Sequence, residues 1–182
     1  MNYRELIQDI ARYRHGVITT WQAREAGVPA VEVRKIAARG YLKRLGQGAY
    51  RVLLVPASPL TPYAEALAVA GQGSHLGPTA TLAVHGLIER RWVIDVSVPR
   101  EPRRAQVPSV HVTRSFRDPR EISDFMGLRV LCLPAALSDH LPRVGEERLG
   151  VVLDAALLSG RIDREDWEGV RRSRHGRGWN DC

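Results

Sequence analysis

Arg34 and Lys35, followed by Arg39, Lys43, Arg44 and Arg51, are the residues here whose types and spacing suit a chemical task. That task is the binding of anions. A guanidinium donates in a planar fork that matches phosphate oxygens or the O6/N7 edge of guanine, while an ammonium acts as a compact point charge. Lys43 and Arg44 lie in GYLKRLGQGAY, residues 40–50, beside Gly46-Gln47-Gly48. A tight hairpin explains the glycines. It does not explain the charge.

The charge is unevenly distributed. The chain of 182 residues carries a formal net charge of +7. Residues 1–55 hold ten Lys/Arg against four Asp/Glu, and the remaining 127 residues hold 17 against 16. A basic head on a near-neutral body is the pattern of a nucleic-acid-binding module. Hydrophobic residues at 44% allow a buried core.

The elements that must position these cations can be read from periodicity. Leu6, Ile7, Ile10 and Ala11 form one face of a helix over residues 2–14, which His15-Gly16 ends. Val17-Ile18 is a short extended piece. Thr19 or Thr20 caps a second helix that runs to Ala26, and Gly27 breaks it. Pro29 opens a third helix to Arg39, stopped by Gly40. At 100° per residue, Val33, Ile36 and Ala37 converge on the core side of that helix. Val31, Arg34, Lys35 and Ala38 converge on the outer side. Such a helix fits a major groove about 12 Å wide. Arg34 there donates to a guanine, and Val31 and Ala38 touch thymine methyls. Leu42–Arg44 and Ala49–Leu53 form a hairpin directly after it, a wing whose Lys43, Arg44 and Arg51 contact phosphates or the minor groove. Thr20, Gln22, Arg39 and Gln47 complete the expected DNA-binding set. A solvated basic surface or a protein-docking winged helix stays open beside this reading.

The stretch GVITTWQAREAGVPAVEVRKIAARGYLKRLGQGAYRV resembles the N-terminal winged helix of AbiEi-type antitoxins, of the abortive-infection type IV toxin–antitoxin family. The matching positions are Gly16, Ile18-Thr19, Gln22-Ala23, Gly27, Arg34-Lys35, Gly40, Leu42, Gly46, Gly48 and Tyr50. ALAVAGQGSHLGPTATLAVHGL, IDVSVPR and LRVLCLPAALSDHL extend the resemblance over most of the chain. Where the family often begins the recognition helix with basic residues, this chain has Ala30, Val31 and Glu32. PAALSDHL stands where many relatives have an RTLLDLA-like motif. Longer relatives continue into a nuclease-like domain, so a short form is expected. The resemblance implies an antitoxin that binds promoter repeats in double-stranded DNA and represses its own operon. It also implies a nucleotidyltransferase-like toxin as the counterpart, without an obligatory tight complex. A solitary winged-helix regulator, or a docking module without a toxin partner, is the alternative.

The fold class expected is α+β: a winged helix-turn-helix over residues 1–57, then a mixed domain with a small sheet over 58–182. VPASPLTP marks the boundary. Helices are expected over Pro62–Ala70, Thr79–His85, from Pro134 to Leu141, over 146–158, and from Asp163 to Arg172. Strands are expected at WVIDVSVP, at 110–113 and at 128–133, with Ser97 facing outward. Trp92, at the first strand's start, is expected in the core, with an interface anchor beside Arg91 as the alternative, and the tail from Ser173 is expected to fray. Arg90-Arg91, Arg100 and Arg103-Arg104 are either ordinary surface cations or an extension of the DNA footprint.

No enzyme is expected. Asp95 on its strand lacks the acidic-x-Lys partner of a metal nuclease, so it reads as a solvated or ion-paired residue. The six histidines have no metal-ligand spacing, and His75 and His85 are expected to make structural hydrogen bonds. Ser138, Asp139 and His140 are adjacent on a helix and point apart. GQGSHLG lacks the Lys-Ser/Thr of a phosphate loop. No cofactor is called for. Cys132 reads as a buried thiol and Cys182 as a fraying end. No run reaches the roughly 18–20 apolar residues of a membrane span, and MNYRELIQDIARYR has no signal-peptide core. A cytosolic protein is expected.

Overall fold

The computed structural model describes residues 2–100, 107–144 and 146–172; the fraying expected of the tail from Ser173 lies outside them. The chain begins with α1 (Tyr3–Arg12), β1 (Val17–Thr19), α2 (Thr20–Glu25), α3 (Ala30–Ala38), β2 (Leu42–Gly46) and β3 (Ala49–Val52). Asn2 caps α1 by accepting from the Arg4 amide at 3.1 Å. Thr19 and Gln22 cap α2 reciprocally: the Gln22 amide donates to Thr19 Oγ1 at 3.2 Å, and the Thr19 amide to Gln22 Oε1 at 2.9 Å. Ile7, Ala11, Ile18, Ala23, Val28, Val33, Ile36, Leu42, Tyr50 and Val52 close the first core.

The short extended piece expected at Val17-Ile18 is a strand, Val17–Thr19. It pairs antiparallel with β3, Val17 opposite Arg51, and the sheet order is β1-β3-β2. β3 is therefore the central strand, and all four of its residues are buried.

The body follows as α4 (Thr61–Ala70), β4 (His75–Leu76), α5 (Pro78–Val84), β5 (Ile94–Val98), β6 (Val110–Arg114), β7 (Ile122–Phe125), β8 (Leu128–Leu131), α6 (Leu133–Val144), α7 (Glu146–Leu158) and α8 (Arg164–Arg172). The helices agree with the apolar periodicity. Leu149, Leu153 and Ala156 of α7 are buried, and Asp163 caps α8 by accepting from the Asp166 amide at 2.8 Å. The sheet differs from the expectation. β5 lies between β4, antiparallel, and β6, parallel, while β8 pairs with β7 in a separate hairpin. β4 has only two residues, and β7, Ile-Ser-Asp-Phe, does not alternate, so neither shows a period. Ser97 is buried, because β5 is a central strand packed by both α4 and α5. Trp92 is 83% exposed, not in the core, because β5 begins two residues after it. Cys132 is buried, as its apolar run implies; the fraying expected of Cys182 lies outside the described residues.

The loop between β3 and α4 contains residue 58, and apolar packing crosses it. Val17 of β1 is buried in the same core as Tyr63, Ala64, Leu76, Ile94, Val96 and Leu128, with Leu45 of the hairpin against it. A third core gathers Leu82, Leu131, Leu137, Leu153, Ala156, Ile162 and Val170.

Arg51 ties these parts together. Its guanidinium is buried and donates from Nη1 to the carbonyls of Gly16 at 2.8 Å and Val52 at 2.6 Å, and from Nη2 to that of Val55 at 2.6 Å. Its Nε lies 3.8 Å from Glu65 on α4. Gly16 has φ +80°, and a Cβ there would collide with this guanidinium. Arg51→Met leaves three carbonyls and a half-buried carboxylate without their donor, and is expected to cost about 3 kcal/mol. Urea unfolding of the two proteins measures it.

His75 supplies a second expectation. It is 1% exposed, neither ring nitrogen has a hydrogen-bond partner, and burial, with Arg117 and Arg129 nearby, lowers its pKa to about 4. The folded chain then keeps the ring neutral while the unfolded chain protonates it below about 6.5. Stability should fall as pH drops from 6.5 towards 4, and His75→Asn should flatten that fall. Denaturant midpoints across this window test the sign.

Candidate nucleic-acid interface

The third helix decides what the head offers to solvent. Val33 and Ile36 are buried and Ala37 is partly buried, whereas Val31, Arg34, Lys35, Ala38 and Arg39 are exposed. Pro29 is the N-cap of the helix, where its missing N–H has no intrahelical partner to lose. Arg34 makes no ion pair or hydrogen bond among the described residues. Lys35 Nζ lies 2.8 Å from Glu32 Oε1, one turn earlier on the same exposed face. An exposed pair of this kind contributes at most about 1 kcal/mol, so it is readily exchanged for another anion.

The hairpin carries the next cations. Lys43, Arg44 and Gln47 are exposed. Arg44 Nε donates to the Gly46 carbonyl at 3.3 Å. The hairpin tip is fixed to α2: the Thr20 amide and hydroxyl both donate to the Gly48 carbonyl, at 2.8 and 3.0 Å. Gly48 has φ +72°, and a Cβ on it would run into the Thr20 hydroxyl.

The expected contact set thus divides. Val31, Arg34, Lys35, Arg39, Lys43, Arg44 and Gln47 share exposure on α3 and the hairpin. Thr20 and Gln22 are half-buried, and their polar groups hold the capped start of α2 against the hairpin. Arg51 is removed from the set. A hairpin edge would expose it, but pairing with β1 makes β3 central, and α4 covers the strand.

Sequence reasoning passed over Trp21, which is 44% exposed on the first turn of α2. It borders a cleft of about 660 Å³ between the hairpin tip and the body, with Arg14, Gln47, Gln72 and Arg129 also on its walls. The available signal was position: in a helix this short, the residue after the capping threonines stays at the surface. Of the body arginines, Arg90 lies with its guanidinium carbon 5.8 Å from the Tyr63 ring centre, and Arg100 is exposed. Arg103 and Arg104 lie outside the described residues.

The body's candidates for chemistry resolve into structure. Asp95 is half-buried and makes no ion pair among the described residues. Its carboxylate accepts from the amides of Thr79 at 3.1 Å and Ala80 at 2.7 Å, so a strand residue caps α5 from outside the helix. Gly77 leaves room for it, since a Cβ there would overlap the carboxylate. His85 packs its ring on Phe125, centroids 3.9 Å apart, rather than acting as a hydrogen-bond hub. His75 also departs from the expected hydrogen bonding. The glycines around both residues signalled turns and did not reveal the hydrophobic cover. Asp139 of α6 pairs with Arg117, away from any relay with its neighbours. Among the described residues no cluster of three or more His, Cys, Asp or Glu has metal-binding geometry, and no helix is long and apolar enough to cross a membrane.

Comparison with known proteins bears on the head. No curated protein matches the chain. The RV2827C protein from Mycobacterium tuberculosis, known from a crystal structure, is 18% identical; the alignment covers 98% of this chain and 83% of that one, with a TM-score of 0.43. The family model described as "Transcriptional regulator, AbiEi antitoxin" matches residues 5–53. The resemblance carried by Gln22, Gly27, Gly46, Gly48 and Tyr50 is therefore borne out over this segment, which runs from α1 to just past β3 and matches the AbiEi antitoxin family of transcriptional regulators.

Proposed function

We propose that the chain is a sequence-specific DNA-binding antitoxin whose N-terminal part, residues 1–57, works as a winged helix-turn-helix. The observation that carries this is the exposed face of α3, where Val31, Arg34, Lys35 and Ala38 stand clear of solvent-excluding contacts beside the cationic hairpin. α3 enters the major groove, Arg34 reads a base edge, and Lys43 and Arg44 engage the sugar–phosphate backbone. In this reading the protein represses its own operon at promoter repeats. Residues 58–182 serve as the antitoxin-type part and counter a nucleotidyltransferase-like toxin, and the site of action is the cytoplasm. The family match over residues 5–53 supports the regulator role.

An electrophoretic shift on the DNA upstream of the chain's own reading frame tests the proposal. Clear preference over random duplex is expected, and equal binding to both would sink the repressor half. Co-expression with the neighbouring toxin gene tests the other half, where restored growth is expected. Arg34→Ala should cost about 1–3 kcal/mol on the preferred site and relax its sequence preference. Lys43→Ala should weaken all duplexes alike and lower the salt slope by about 0.9. Glu32→Gln frees Lys35 and removes an acid from the interface. It should raise duplex affinity by about two- to fivefold, read by fluorescence anisotropy.

A further inference from the structure

Beside the C-terminal end of α3 lies a notch of about 290 Å³, lined by Asn2, Arg4, Ile36, Arg39 and Tyr41. We propose that this notch is a dedicated seat for one phosphate of the DNA backbone, with Arg4 and Arg39 as its two jaws. The inference rests on the DNA-binding reading and adds to it a contact from α1, outside the helix and hairpin already described.

Three observations support the assignment. The Arg4 guanidinium carbon lies 4.7 Å from the centre of the Tyr41 ring, so the ring holds the fork flat before any ligand arrives. Arg4 Nε is buried with no hydrogen-bond partner among the described residues. Buried donors are nearly always satisfied, and Arg4 lines the notch, so its unanswered donor points to an acceptor from outside the chain. Arg39 is exposed, and its guanidinium has no ion pair or hydrogen bond among the described residues. The Asn2 side chain is already engaged by the Arg4 amide, so it contributes shape and no charge.

Position identifies the anion. On α3, Arg39 lies about 40° around the helix from Lys35, and Lys35 borders the face that carries Arg34 and Ala38. A duplex that receives this face in its major groove brings a flanking strand past Arg39. Two guanidiniums converging on one phosphate form charge-assisted hydrogen bonds that carry no sequence information but fix the register of α3.

The test compares salt-dependent duplex binding of the full chain with that of Arg4→Ala and Arg39→Ala. Each variant should bind preferred and random duplexes more weakly by the same factor, roughly three- to tenfold, and lower the slope of log affinity against log salt by about 0.9. Arg4→Lys should recover most of the slope but only part of the affinity, because an ammonium lacks the fork. Arg12→Ala, which removes an exposed α1 cation paired with Asp9, should change neither quantity. Arg39 is exposed, so its variant is expected to fold, and a thermal melt checks this. Wild-type slopes in both alanine variants, with sequence preference intact, would overturn the notch while the DNA-binding reading stands. Failure of the unaltered chain to bind any duplex would overturn both.

Discussion

A guanidinium withdrawn from water needs its donors answered by fixed acceptors, because the desolvation cost is several kcal/mol. Arg51 meets that demand with carbonyls from three positions and the carboxylate of Glu65. Those acceptors belong to the end of the α1 turn, the exit of β3 and the first helix of the body. A single buried cation therefore holds the sheet edge, the chain exit and α4 in one arrangement. The glycine at position 16 is part of the same device, since only a residue without Cβ leaves space for the fork.

From that anchor the exposed surface follows. With β3 central, the β2–β3 hairpin leans on α4 through Leu45, and its tip is tied to α2 through the Gly48 carbonyl. α2 in turn packs on α3. The cations of α3 and of the hairpin are thus carried on elements that share hydrogen bonds and a core, and they need little ordering when a polyanion arrives. The exposed positions are cationic or small and apolar, which suits an anionic groove edged with methyl groups. Asp95 does comparable work inside the body, where one strand carboxylate sets the start of α5.

Much of the head was legible because its signals are local. The Thr19 cap, the positive φ of Gly27 and Gly48 and the 3.6-residue apolar rhythm of α3 each act within four residues, and they appear where the sequence placed them; Gly46, expected to share the turn's φ, instead ends β2 without a positive φ, and the answering bond from Gln22 was not foreseen. The body's helices were legible for the same reason: Leu149, Leu153 and Ala156 mark their own buried face. β4 and β7 were not, because two residues give no period and Ile-Ser-Asp-Phe does not alternate; the partner of β4 lies across a helix.

The site shows the same division. The amino-acid sequence alone determined that α3 would turn Arg34 and Lys35 outward, since a helix's exposed face is fixed by which neighbours are apolar. It also determined that Gly46 and Gly48 would make a hairpin with Lys43 and Arg44 beside it. Only the tertiary structure decided the fate of Arg51, the capping role of Asp95, the exposure of Trp21 and the stacking of Arg4 on Tyr41. Each of these depends on a partner distant in the chain or on which element comes to lie over a strand. Side-chain type sets what a residue is able to bind, and the packing of remote segments sets whether it faces solvent, a carbonyl or an empty notch.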